Sequence, residues 1–154
     1  MSRPWAAAVL LGGKTVENRT WSTDRRGWLV LHAAQSIDRD AEAYIASRGD
    51  WLPQLLATRT WRRVAAETGY LGAAELLGVH RDGDDVCRAY ASGARRCAWG
   101  AQSCWHWELG EPVLLPTPIP GPGRTGLWRP PSEVAAAVAA RLAARPATAL
   151  RAPR

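Results

Sequence analysis

Lys14, Glu17 and Arg19 put an ammonium, a carboxylate and a guanidinium within a few residues of one another, in a chain whose other basic residues are all Arg. In an extended segment Thr15, Glu17, Arg19 and Trp21 share one face, with Val16 and Asn18 on the other. Charges of both signs are costly to bury unless they bind something, so this segment is the leading site candidate. Such a row can grip a planar, hydrogen-bonding ligand such as a nucleobase. Spacing alone favours a solvated Glu–Arg ion pair worth about 0–1 kcal/mol.

The elements around the row follow from local pattern. Apolar Trp5 to Leu11 behind Pro4 predicts a helix, and Gly12-Gly13 is a helix stop. From Lys14 the period changes to two. Thr23 to Gly27 reads as a charged turn and Trp28 to Ala34 as a buried strand, which together predict a hairpin with the motif strand. His32, alone in that apolar run, reads as a hydrogen-bonded core residue. Two helices are expected next, Ile37 to Arg48 capped by Asp38 and Asp50 to Glu67. The Arg59, Arg62 and Arg63 cluster then forms a solvated face or extends a phosphate track.

Thr68 to His80 is compatible by composition with helix or strand. Arg81 to Asp85 is a turn, and the stretch to Gly100, with Arg88, Arg95 and Arg96, is an irregular basic excursion. Trp105 to Leu109 alternates, with Trp105, Trp107 and Leu109 on a packed side and His106 with Glu108 on a side that can face a cleft. The Pro- and Gly-rich run from Pro112 to Gly126 predicts an extended connection, neither helix nor central strand. Ser132 can cap a last helix from Glu133 to about Ala144, with Val134, Val138 and Leu142 on one stripe, and residues 146–154 read as a frayed tail.

At 154 residues the chain fits one domain with a real core. Lys and Arg exceed Asp and Glu by 20 to 14, and the sequence pI is near 10.0, which favours a polyanionic partner. Cys87, Cys97 and Cys104 are odd in number and contain no C-x-x-C pair, which fits free thiols in a reducing, cytoplasmic interior. Together with His106 they can be drawn as four metal ligands, but their gaps match no usual zinc pattern, so no metal is expected. The first apolar run is too short for a signal peptide or a membrane span, and no other stretch is longer. Nine Trp without Phe supply much of the core, leaving Trp21 beside Arg19 and Trp99 in the basic excursion as candidates for base stacking.

Gly12, Lys14, Glu17 and Arg19 fit the signature G-x-K-x-x-E-x-R. With Arg3 to Ala6, Arg19 to Trp21 and Arg26 to Ala33 around it, this stretch resembles the ASCH domain of the PUA-like superfamily. Trp105 to Leu109, Pro116 to Pro120 and Gly123 to Trp128 resemble the closing strands of the same domain, so the resemblance covers about residues 3–130. It implies an α+β fold, a PUA-like small mixed β-barrel flanked by helices over residues 1–130, with Thr68 to His80 a barrel strand and residues 131–145 an added helix.

The resemblance also implies binding of RNA, another single-stranded nucleic acid or a nucleotide. Lys14 and Arg19 would hold phosphate or carbonyl oxygens, and Glu17 would accept from an exocyclic amine or a ribose hydroxyl. Trp21, Arg25, Arg26, Trp99 and His106 complete the expected binding set. The rival class is an enzyme. Some relatives hydrolyse acylated cytidine with a Lys, a Thr three residues later and a Glu, but here that third position is Glu17, and Thr15 points away from Lys14. As an enzyme this chain would use Lys14 and Glu17, either as an amidohydrolase on a modified nucleoside or as a ribonuclease. The latter could use a divalent ion, with His32 or His106 in acid–base roles; otherwise no cofactor is expected. A protein-interaction module is the third class, and the chain lacks the extra modules such a scaffold would use.

Overall fold

The computed structural model describes residues 1–85 and 99–145. Helix α1 (Trp5–Leu11) buries Ala6 to Leu10 and ends at Gly12, whose N–H donates to the carbonyl of Ala8 at 2.9 Å. Gly13 then takes φ +65°, a left-handed conformation that suits glycine, and the Lys14 N–H also returns to Ala8 O at 3.0 Å. This glycine pair turns the chain into β1 (Val16–Arg19) and sets the direction in which the charged row points.

Strand β2 (Gly27–Ala33) follows, then three short helices: α2 (Ala41–Ala46), α3 (Leu52–Leu56) and α4 (Arg59–Ala66). The sequence predicts two helices here. Thr58 breaks the second by taking an extended conformation and accepting from the Trp61 N–H through its hydroxyl, so α4 starts afresh. Asp38 does not cap α2. Its carboxylate instead accepts from Trp5 Nε1 at 2.9 Å, tying the segment to α1, and Asp40 occupies the cap position.

The long strand β3 (Gly69–Arg81) organises the sheet. It pairs along Gly69 to Leu76 with β2, and along Leu76 to Arg81 with β4 (Trp105–Leu109). Strand β5 (Val113–Ile119) pairs with Tyr70, Gly72 and Ala73. The Pro-rich connection is thus a strand, but Pro116 and Pro118 fall where its ladder is interrupted, between the Leu114 and Ile119 pairs. That is where residues lacking an N–H are tolerated. Gly72 has no room for a side chain: a Cβ there would stand 2.2 Å from Val113 O and 2.7 Å from Leu10.

Two expectations are corrected. Strand β1 forms no hairpin with β2 but pairs antiparallel with β4, placing Glu17 opposite Trp107 and Arg19 opposite Trp105. Residues 20–26 between β1 and β2 are longer than the usual two-to-five-residue hairpin loop. The sheet is also not a closed, mixed barrel. Its order is β1-β4-β3-β2 with β5 on β3, every ladder between these strands is antiparallel, and no ladder joins β1 to β2 among the described residues.

The main core gathers α1, the short helices and one side of the sheet around Val9, Val16, Ile45, Leu52, Trp61 and Trp107. A smaller cluster of Ala73, Leu115 and Val138 seats the last helix, α5 (Ser132–Ala143), on the other face of β3. Ala74 belongs to the main core and Ala73 to the smaller one, as strand alternation requires. The chain is therefore an α+β fold with helices on both sides of an open five-stranded sheet. No described helix is long and apolar enough to cross a membrane. The expected basic excursion around Arg88, Arg95 and Arg96 and the expected tail at 146–154 lie outside the described residues.

Candidate functional site

The unpaired ends of the sheet path, β1 and β2, border a cleft of about 1420 Å³. Glu17 and Arg19 line it from β1, Trp107 and Leu109 from β4, and Leu29 and Leu31 from β2. The alternation in β4 separates Trp107 from His106 as the sequence predicts, but the side that meets the cleft is that of Trp107. Its place opposite Glu17 in the ladder decides this.

Lys14 is the foundation of the polar row. Only 5% exposed, its ammonium donates to Glu17 Oε2 at 2.9 Å and to the Val16 carbonyl, and sits 5.6 Å from the centroid of the Trp5 ring. Glu17 Oε1 in turn holds Arg19 Nη2 at 3.1 Å, so each carboxylate oxygen already faces a cation. The Arg19 guanidinium lies 5.9 Å from the Trp107 ring centroid, within cation–π range. Arg19 Nε is buried and finds no hydrogen-bond partner among the described residues.

Trp107 is fixed in turn. Its Nε1 donates to the Trp21 carbonyl at 3.1 Å, and the two indoles meet edge to face at 4.7 Å. Trp21 is 37% exposed, so it braces Trp107 from the solvent side. The Met1 ammonium donates to the His32 carbonyl at 2.8 Å on the same cleft wall. Burial and then the nearby Arg19 push its pKa below the ordinary α-amino value, against an opposing pull from Glu17.

The remaining expected site residues divide. Arg25 is exposed and lines the cleft. Arg26 is turned back on its own turn, with Nη1 donating to the carbonyls of Thr23 and Arg25. Trp99 is not at the cleft: it is buried in the main core, tilted against Tyr44, with its carbonyl taken by Asn18 Nδ2. His106 is also buried, with Nε2 on the Ala101 carbonyl at 2.8 Å and Nδ1 3.3 Å from His80 Nε2. His80 Nδ1 meets Glu108 Oε1 at 2.9 Å, so His106 and Glu108 form a buried polar chain rather than a cleft wall.

Cleft residues that sequence reasoning did not select are Trp107, Trp128, Arg124 and Arg129. The signal for Trp107 existed only once its strand was paired with β1; for the others it lay in a loop whose path no periodicity describes. Among the described residues no three His, Cys, Asp or Glu side chains gather as a metal site. Cys104 is a free thiol, while Cys87 and Cys97 fall outside the described residues.

No curated protein matches the chain closely enough to count as a relative. The family model described as the ASCH domain matches residues 1–110, which contain the whole Lys14, Glu17 and Arg19 row and strand β4 opposite it. The chain belongs to the ASCH domain family.

Proposed function

We propose that this protein binds single-stranded RNA, or a nucleotide, in the cleft between β1 and β2. The observation that carries the reading is Arg19: its side chain lines the cleft 35% exposed, oriented by Glu17 and within cation–π range of Trp107. A guanidinium held in one orientation at a cleft presents its remaining N–H donors to a ligand carbonyl or phosphate oxygen. The ASCH family generally points to RNA or other nucleic acid, and the net charge of +6 suits a polyanion.

The roles differ from a row of equal contacts. Arg19 touches the ligand, with Arg25 at the rim. Lys14, at 5% exposure, acts through Glu17 as a positioning residue. Glu17 holds both cations in register, one on each carboxylate oxygen.

The test is labelled single-stranded RNA with and without Mg²⁺ or Mn²⁺, run on native and denaturing gels for wild type, Arg19→Ala and Glu17→Gln. The expected result is a shifted, intact RNA, lost in Arg19→Ala. Its log affinity should fall with log salt at about −0.7 per phosphate neutralised. Shortened RNA that depends on Glu17 would make the protein a ribonuclease, and no shift at any salt would overturn the reading.

A further inference from the structure

The cleft does not end at the Arg19 row. It continues along β2 to a second wall made by residues 120–129, none of which lies within the 1–110 family match. This strap is pinned to the sheet by two side chains. The Tyr70 hydroxyl donates to the Pro122 carbonyl at 2.9 Å, and His32 Nε2 meets the Gly121 carbonyl at 3.0 Å. Gly123 presses against the imidazole so closely that a Cβ would stand 2.5 Å from His32 Nδ1. Behind the strap, His32 meets the Tyr70 ring edge to face at 4.9 Å and the Trp128 ring at 6.3 Å. The Trp128 indole is half-buried on this platform and lines the cleft.

The charges on this wall have one sign. Arg124 and Arg129 are exposed, line the cleft, and make no hydrogen bond or ion pair among the described residues. Among the described residues the only carboxylate lining the cleft is Glu17, already paired with Lys14 and Arg19. A cleft of about 1420 Å³ also exceeds the roughly 300–1000 Å³ that houses one small ligand.

We propose that the Trp128, His32 and Tyr70 platform with Arg124 and Arg129 is a second nucleotide subsite, so that the ligand is a strand of at least two nucleotides rather than a free nucleoside. The inference rests on the nucleic-acid reading of the first site. Trp128 offers a face for a second base, and Arg124 with Arg129 take the phosphodiesters that lead from it. Recognition here is by stacking and phosphate charge, which any unpaired strand supplies.

The test compares a short fluorescent oligouridylate, followed by anisotropy, with uridine monophosphate, followed by calorimetry. The proteins are wild type, Arg19→Ala, the double variant Arg124→Ala with Arg129→Ala, Trp128→Ala and Trp128→Phe. The double variant should weaken the oligonucleotide alone and reduce its salt slope by about 1.4, two phosphates at about 0.7 each. Trp128→Ala should cost the oligonucleotide about 5- to 150-fold, and Trp128→Phe should recover most of it, which separates lost stacking from misfolding. Arg19→Ala should weaken both ligands. An unchanged oligonucleotide affinity and salt slope in the double variant, with Arg19→Ala still damaging, would overturn the second subsite and leave the first reading standing. If wild type binds neither ligand, both fall.

Discussion

Asn18 donates through Nδ2 to the carbonyl of Trp99 at 2.9 Å, joining β1 to a segment 81 residues further along the chain. The same carboxamide accepts from the Ala101 N–H at 2.8 Å, so one side chain clamps both ends of that turn. Asn18→Ala removes a donor and an acceptor together and should cost about 1–3 kcal/mol in urea denaturation. Asn18→Asp should cost a similar amount, because a carboxylate oxygen would then face the Trp99 carbonyl.

Lys14 is the only lysine in the chain, and among the described residues no arginine is buried as it is. A compact ammonium fits between the Trp5 ring, the Val16 carbonyl and Glu17, where a planar guanidinium would overfill the space. Lys14→Arg should therefore destabilise by about 1–3 kcal/mol despite keeping the charge. Lys14→Met should cost about 1.5–3 kcal/mol by leaving Glu17 Oε2 and Val16 O without their shared donor. Thermal or urea unfolding checks both, and a Lys14→Arg protein as stable as wild type would show that the cation is not held as tightly as its burial implies.

What the sequence made legible was local. A helix that stops at two glycines, a row of alternating charges and the alternation of Trp105 to Leu109 all depend on near neighbours, and each appears in the structure. Alternation tells which residues share a face but not which edge of the strand is occupied. The expected β1–β2 hairpin was therefore replaced by β1–β4 pairing, and the barrel by an open sheet. The same limit explains Trp99 and His106, which have the residue types of a binding site but are buried by contacts with Asn18, Ala101 and His80. Arg124 and Arg129 were missed for the opposite reason. They sit in a Pro- and Gly-rich loop, and only the Tyr70 and His32 hydrogen bonds that pin the loop bring them to the cleft.

Arg19 combines a hydrogen bond to Glu17 with a ring contact to Trp107, and its guanidinium does both because it is flat. Arg19→Lys keeps the charge but loses the fork and the guanidinium's contact with the Trp107 ring. RNA affinity should drop by about tenfold or more, on the scale of a charge-assisted hydrogen bond worth about 1.5–3 kcal/mol, while the salt slope stays nearly unchanged. Arg19→Ala should lose both affinity and about 0.7 of slope. A titration of wild type and both variants at several salt concentrations separates geometry from charge.

Glu17→Gln distinguishes a scaffold carboxylate from a reacting one. The two oxygens of Glu17 face two donors, Lys14 Nζ at 2.9 Å and Arg19 Nη2 at 3.1 Å. A carboxamide offers only one acceptor, so its NH₂ must confront one of those cations whichever way it is flipped. The variant should lose about 1.5–3 kcal/mol of stability, seen as a lower urea midpoint with an unchanged slope. Its RNA binding should persist more strongly than that of Arg19→Ala, because the row gains net positive charge while Arg19 loses only its orientation. If Glu17 instead acted on water, Glu17→Gln would leave binding in place and abolish cleavage on a denaturing gel. A folded Glu17→Gln protein that neither loses stability nor changes its handling of RNA would mean that the carboxylate contributes to neither role.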